Sequence, residues 1–184
     1  MKENHIIIGI DPGTNILGYG IINTQEKSPC LIAAGVVQLS KYKDHFVKLK
    51  QIFQRVVSLL EQYKPDEMAV EATFYGKNIQ SMLKLGRAQG AAITAGLSRD
   101  IPIFEYAPRK IKSAITGNGN ASKEQVAGML QKILNFEEMP KNLDATDGLA
   151  AAVCHFFQKG RITSDTKYAN WNDFIKSNPE RLGK

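Results

Sequence analysis

The chain has 184 residues, of which 43% are hydrophobic and 23% are charged. This length and composition predict one globular domain and exclude a wholly disordered chain and a collagen-like fibre, and no apolar run approaches the ~18 residues of a membrane-spanning helix. The net charge of +6 favours a polyanionic partner such as nucleic acid. The two cysteines match no metal-binding spacing and are interpreted as small buried residues of a reduced, cytoplasmic protein.

The first 40 residues predict three strands, at 6–10, 17–23 and 31–39. The first strand is a continuous β-branched run that ends in the turn sequence Asp-Pro-Gly-Thr at 11–14. Because the links are short, the three strands are expected to form an antiparallel meander. Gly35 is interpreted as the site of a bulge in the third strand.

The apolar spacing then changes to that of helices alternating with short strands. Helices are predicted at 43–63, 78–98, 107–115, 122–134 and 144–158, and strands at 67–72 and 101–106. This order predicts an α/β fold with a five-stranded mixed sheet and helices on both faces. Residues 1–160 are expected to form the folded domain, followed by a polar C-terminal tail at 161–184.

Four carboxylates fall where such a fold could bring them together. Asp11 ends the first strand and Glu71 the fourth, and strands that run the same way end at one edge of a sheet. Asp144 and Asp147 share one face of the last helix. Each also has a structural explanation, because Asp11 suits a turn, Glu71 a solvated strand end, and the other two a helix start.

A cluster of four carboxylates needs a neutralising cation, because like charges at close range raise one another's pKa. An all-oxygen ligand set suits Mg²⁺ or Mn²⁺. Two such ions can clamp the attacking and leaving oxygens of a phosphoryl displacement. The sequence therefore indicates a metal-dependent phosphoryl-transfer site at this edge.

Four blocks of the sequence together resemble the RuvC Holliday-junction resolvases, in order over residues 5–157. The blocks are GIDPGTNILGYGII, VEATFYGKNIQSMLKLGRAQGAAI, IFEYAPRKIK and DATDGLAAAVCH. The resemblance implies an RNase H-like nuclease domain that acts as a homodimer and cuts four-way junction DNA in recombination and repair. It also implies symmetric nicks made with Mg²⁺, two ions per active site, and work with the RuvA–RuvB branch-migration motor.

The resemblance extends to individual positions. Asp11, Glu71, Asp144 and Asp147 match the metal-binding acids of the family. Phe74 matches an aromatic residue that stacks on a base near the junction centre, and Lys112 and Lys123 match basic positions linked to DNA. The tail at 161–184 lies outside the part that resembles the family.

Two further features of the residues bear on DNA binding. Phe74 lies three residues after Glu71 and could stack on an unpaired base, or pack beneath the sheet edge instead. Lys77, Lys84 and Arg87 share one side of a predicted helix, which suits a track for phosphates but also an ordinary solvated face.

Three other functions remain open at this point. The turn DPGTNILGYG also resembles the first phosphate loop of actin-like ATPases and sugar kinases, although those need two such domains and a second Gly-rich loop. An RNase H-like nuclease acting on RNA precursors shares the early aspartate. A catalytically inactive DNA-binding module is the third alternative, which the complete set of carboxylates disfavours.

Overall fold

A computed structural model describes residues 5–24, 28–73, 78–136 and 143–162. The strands are β1 Ile6–Asp11, β2 Ile16–Asn23, β3 Cys30–Gln38, β4 Glu67–Glu71 and β5 Ile103–Tyr106. The helices are α1 His45–Tyr63, α2 Ile79–Leu97, α3 Pro108–Thr116, α4 Lys123–Leu134 and α5 Asp144–Ile162. The predicted order of elements is confirmed.

The five strands form one mixed sheet in the order β3-β2-β1-β4-β5. The first three strands are antiparallel neighbours, as the meander predicted, whereas β1, β4 and β5 run parallel. Parallel neighbours end at a common edge, which here carries Asp11 from β1 and Glu71 from β4. The sheet therefore places the first two predicted acids side by side.

Helices cover both faces of the sheet, as predicted. Alternate residues of β1 point to opposite sides, so Ile7 joins a core with α3, α4 and α5, and Ile8 joins one with α1 and α2. Both isoleucines are fully buried. Burial of a side chain of this size contributes about 1.5–3 kcal/mol to the free energy of folding.

Two details differ here from the sequence-based expectations. The pairing of β2 with β3 slips between Ile21 and Ile22 and passes over Ile32, so the bulge is there rather than at Gly35. Gly35 instead lies against the ring of Tyr19, where a Cβ would come 2.7 Å from the tyrosine hydroxyl. Cys30 is exposed because it begins β3, whereas Cys154 is buried as expected.

The last helix is longer than predicted, because α5 continues to Ile162. The predicted tail at 161–184 otherwise lies outside the described residues. No helix in the described ranges combines the length and the apolar character that crossing a bilayer requires.

Candidate active site

Helix α5 lies unusually close to β1 and β2 because glycines face each other across the contact. A Cβ on Gly9 would come 2.1 Å from the carbonyl oxygen of Gly148, and one on Gly18 would come 2.0 Å from that of Asp144. Real Cβ atoms do not approach backbone atoms so closely, so both positions require glycine. This contact brings the first turn of α5, with Asp144 and Asp147, to the strand that ends in Asp11.

Polar contacts hold the other end of α5 against the opposite edge of the sheet. His155 Nε2 donates to Glu67 Oε2 at 2.9 Å, and Lys159 Nζ donates to Glu67 Oε1 at 2.7 Å. Tyr106 donates to His155 Nδ1 at 2.6 Å, which fits this tautomer. Burial opposes ionisation of Glu67, but hydrogen bonds from Lys159, His5 and His155 lower its pKa to about 2. The helix is thus fixed at both ends.

At the sheet edge that carries Asp11 and Glu71, a pocket of about 250 Å³ lies between the sheet and three helices. We name it the acidic pocket. Its lining combines three of the predicted acids, two predicted lysines and four apolar residues of α3, α4 and α5. They are Asp11, Glu71, Asp147, Lys112, Lys123, Pro108, Ile111, Val126 and Ala150. The structure therefore gathers most of the predicted site in one concave place, with Asp144 joined to it through Lys123.

The carboxyl groups in the pocket carry more negative charge than their surroundings neutralise. Burial, followed by repulsion from Asp147, raises the pKa of Asp11 to about 6. Burial and repulsion from Asp11 and Asp147 raise the pKa of Glu71 to about 8. Burial also raises the pKa of Asp147, against the opposing effect of its bond with Lys123. A bound cation would relieve this accumulation of charge.

Lys123 supplies a positive charge between the two aspartates of α5. Its Nζ donates to Asp147 Oδ2 at 2.5 Å and to Asp144 Oδ1 at 3.1 Å. Burial opposes the charged ammonium, but the bonds with Asp147 and Asp144 raise the pKa of Lys123 overall. The sequence resemblance predicts that Lys123 binds DNA. In the structure, Lys123 partly neutralises the charge of Asp144 and Asp147.

The residues present fit a hard divalent cation in their chemistry. Asp11, Glu71, Asp144 and Asp147 offer only oxygen donors, and burial first, then repulsion between these acids, raises the pKa of Asp11 and of Glu71. In the described part of the chain, however, no three acidic, histidine or cysteine side chains are gathered as a metal-binding group. Lys123 instead holds Asp144 and Asp147.

Sequence reasoning missed a residue that supports this edge. Gln89 of α2 is buried, and its Nε2 donates to the backbone oxygen of Glu71 at 3.1 Å and to Glu105 Oε1 at 2.7 Å. It thus fixes the end of β4, from which the Glu71 side chain projects. Only its position on the inner side of the Gly- and Ala-rich helix could have signalled this role.

The remaining predicted DNA-binding residues do not line this pocket. Lys84 and Arg87 lie on α2, on the opposite face of the sheet, where both lower the pKa of His45. Phe74 and Lys77 lie outside the described residues. The stacking role of Phe74 and the full Lys77–Lys84–Arg87 track stay predictions.

The raised pKa of Glu71 predicts a pH-dependent stability in the metal-free protein. The folded state holds this proton more tightly than the unfolded chain, so the stabilisation is complete below the ordinary pKa of 4.5 and is lost as the pH rises through about 8. We expect this part of the free energy of unfolding in EDTA to fall as the pH rises from about 4.5 to about 8 and to level off above pH 8. Glu71→Gln should abolish this part of the decline, as measured by urea denaturation.

Glu61→Gln is the matched control for that measurement, because Glu61 is exposed and pairs with Arg99 away from the pocket. It should keep the wild-type decline. An identical decline in Glu71→Gln and Glu61→Gln would show that Glu71 does not take up a proton in this pH range.

Known proteins resemble the chain along almost its whole length. The family model described as crossover junction endodeoxyribonuclease RuvC matches residues 7–155. Proteins of that name from Christiangramia forsetii and Bacteroides fragilis are 60% and 61% identical. Each match covers 99% of this chain and, respectively, 95% and 97% of the relative. The match with the C. forsetii protein spans 182 residues and therefore includes most of the predicted tail at 161–184.

A solved structure extends the similarity to three dimensions. Thermus thermophilus RuvC in complex with a Holliday junction substrate is 32% identical, with a TM-score of 0.80. The match covers 86% of this chain and 97% of that protein. The agreement confirms the predicted fold class, since the five-stranded mixed sheet with helices on both faces is shared with a RuvC of known structure.

Proposed function

The chain belongs to the RuvC family of crossover junction endodeoxyribonucleases, and we propose that it resolves Holliday junctions by metal-dependent phosphodiester hydrolysis, working as a homodimer. The observation that carries this proposal is the pocket where Asp11, Glu71 and Asp147 meet Lys112 and Lys123. Its acids can bind metal ions and its lysines can bind a phosphate. Phosphoryl transfer needs both groups close together, and the pocket brings them together. The 32% identical T. thermophilus RuvC has a solved structure in complex with a Holliday junction substrate.

The chain's own groups divide the work in this proposal. Asp11, Glu71, Asp144 and Asp147 would hold two Mg²⁺ ions, or Mn²⁺ in their place. When bound there, such ions would supply activation of a water molecule and stabilisation of the leaving oxygen. Lys112 and Lys123 attract and orient the scissile phosphate. Gln89 and the close glycine contact of α5 keep the acids from the sheet and the helix in register.

A cleavage assay tests the function and its alternatives together. Four-way junction DNA should be cut at paired, symmetric positions with Mg²⁺ and not in EDTA, whereas a linear duplex of the same sequence and an RNA duplex should stay intact. ATP hydrolysis without nuclease activity would support the actin-like alternative instead. Preferential cleavage of the RNA would support the RNA-processing nuclease, and junction binding without cleavage would support the inactive module.

The proposed homodimer rests on the outer face of α2, which has an apolar surface without a partner in the described chain. Ile79, Leu83 and Leu97 are 69%, 52% and 58% exposed. A Cβ on Gly86 or Gly90 would meet nothing within 4 Å. Because these five residues follow one side of the helix, a second copy could approach its backbone closely. A homodimer also has two active sites related by a twofold axis, which matches the two equivalent strands of a junction that are cut.

Replacing Gly90 by Leu should weaken this dimer while leaving the protomer folded. The protomer offers open space at this position, and leucine favours a helix by about 1 kcal/mol over glycine. Overpacking of a close interface costs about 1–3 kcal/mol per copy, so the dimer Kd should rise by about 10²-fold or more. Sedimentation measures the assembly and thermal denaturation measures the fold.

Gly128→Leu provides the control for this prediction, because Gly128 is also a helical glycine with open space around it. It should leave the sedimentation unchanged. A Gly90→Leu protein that sediments like the wild type would exclude this face of α2 from the interface.

Other parts of the proposal rest on the sequence. Its composition indicates a nuclease domain at 1–160, which α5 extends to Ile162, a polar tail over the rest of 161–184, and a cytoplasmic location. Helical spacing places Lys77, Lys84 and Arg87 along the phosphates. The family resemblance supplies the role of cleavage in recombination and repair, the RuvA–RuvB motor, and the stacking of Phe74 on a base near the junction centre.

A further inference from the structure

A second pocket lies on the other side of the turn that follows β1. It has a volume of about 260 Å³ and is lined by Thr14, Asn15, Lys43, His45, Lys48, Ser81 and Lys84; we name it the basic pocket. Thr14 and Asn15 belong to the turn, Lys43 precedes α1, His45 and Lys48 lie in its first turns, and Ser81 and Lys84 lie near the start of α2. It is separate from the acidic pocket, with which it shares no residue.

Lysines supply the charge in the lining of the basic pocket. Lys43, Lys48 and Lys84 form no ion pair with any carboxylate in the described ranges. The Asp44 carboxylate caps α1 by accepting from Val47 N, whereas α2 is capped by the neutral Asn78 and has no acidic residue in its first turn, so the positive end of the α2 dipole adds to the lysine charges. Such a surface favours an anion.

His45 is a second, independent sign of a missing partner. Its Nε2 is shielded from solvent and has no hydrogen-bond partner among the described residues. Burial, together with the nearby charges of Arg87, Lys84 and Lys48, lowers the pKa of this histidine, although Asp44 acts in the opposite sense. A bound anion would reverse the electrostatic part of this effect.

The basic pocket is fixed relative to Asp11 by the turn itself. Asn15 Oδ1 accepts from Lys48 Nζ at 3.0 Å, and the Asn15 backbone oxygen accepts from Leu39 N at 2.8 Å and Ser40 N at 3.1 Å. Asn15 follows Asp11 by four residues, so their Cα atoms are at most about 14 Å apart. At about 3.4 Å per nucleotide, this distance corresponds to a few nucleotides of one strand.

We infer that the basic pocket binds a backbone phosphate of the junction DNA, a few nucleotides from the phosphate that is cut, and so sets where the strand enters the acidic pocket. The inference rests on the proposed function, because it takes junction DNA as the ligand. It extends the predicted phosphate track beyond Lys84 to Lys43 just before α1 and to His45 and Lys48 of α1, which were not predicted to bind DNA from the sequence.

The first test measures junction binding in EDTA over a range of NaCl concentrations. Lys43→Gln and Lys48→Gln should each reduce the slope of log K against log salt by about 0.9 and weaken binding by about tenfold. Lys50→Gln is the matched control, since it removes the same charge from an exposed position that lies about 200° around α1 from Lys48. Because Lys43 is exposed, its replacement should not disturb the fold even where that of Lys48 does.

The second test identifies the phosphate. Single phosphates of the junction are replaced by neutral methylphosphonates, and each junction is bound to the wild type and to Lys43→Gln. At one position other than the scissile phosphate, the methylphosphonate and Lys43→Gln together should reduce the binding free energy by less than the sum of their separate effects. The reason is that the lysine and that phosphate interact as a pair. Additive losses at every position would overturn the inference.

The outcomes also separate this inference from the proposed function. A wild-type protein that neither prefers nor cuts junctions contradicts the function itself. A wild type that does both, with Lys43→Gln and Lys48→Gln indistinguishable from Lys50→Gln, contradicts only the basic pocket.

Discussion

Replacing any one of Asp11, Glu71, Asp144 and Asp147 by its amide should reduce junction cleavage by about 10²-fold or more, while junction binding in EDTA stays equal or becomes tighter. The amide keeps the shape of the side chain but removes a charged oxygen ligand, and small displacements in an in-line reaction are costly. Without metal, the same carboxylates repel the DNA, so neutralising one does not weaken affinity. A cleavage time course with Mg²⁺ beside a gel shift in EDTA measures both effects.

Asp100→Asn is a suitable control for the amide series. Asp100 is exposed in the turn after α2, with a φ of 55° that asparagine tolerates well. It should cut at the wild-type rate. Because the four acids act as a unit, a double amide variant should be scarcely slower than a single one.

The amide series also compares the two aspartates of α5. The side chain of Asp147 is 17% exposed and lines the acidic pocket, whereas that of Asp144 is 33% exposed and reaches it through Lys123. An Asp144→Asn protein that cuts normally would remove Asp144 from the proposed metal-binding acids, while its contact with Lys123 would stand. Normal cleavage by Asp147→Asn would contradict the proposal that this pocket is the active site with Asp147 as one of its metal-binding acids.

Much of the fold could be predicted because each element carries a local pattern. The β-branched run of β1, the helical spacing of α1 and the capping box at Ser122 and Gln125 are all readable from neighbouring residues, and the structure has each of them. The meeting of Asp11 with Glu71 followed from a general property of parallel strands. These predictions needed no knowledge of distant contacts.

The remaining features depend on contacts between distant parts of the chain. A glycine in a strand indicates a bulge or a close approach, and nothing near Gly18 in the sequence shows that Asp144 lies above it. Lys123 meets Asp144 and Asp147 across gaps of 21 and 24 residues. The bulge at Ile32 likewise depends on how β3 pairs with β2. Such features become visible only when the elements are packed.

The glycine contact under α5 leads to the second prediction, in which Gly18→Ala should destabilise the protein and impair cleavage. Gly18 pairs with Asp11 across β1 and β2, and its Cβ would come 2.0 Å from the backbone oxygen of Asp144. The added methyl must therefore push the first turn of α5 away from the sheet, separating acids that the site needs together. We expect a loss of about 1–3 kcal/mol in the free energy of unfolding and about 10²-fold in cleavage rate.

Cleavage should be measured well below the melting temperature of Gly18→Ala, so that a slower rate reports displaced acids rather than unfolded protein. Gly128→Ala is the matched control, because the same methyl meets nothing within 4 Å there. That variant should be up to about 1 kcal/mol more stable than the wild type, since alanine favours a helix over glycine, and should cut normally. If Gly18→Ala melts and cuts like Gly128→Ala, α5 does not lie this close to β2, and the acids of the helix must reach Asp11 in another way.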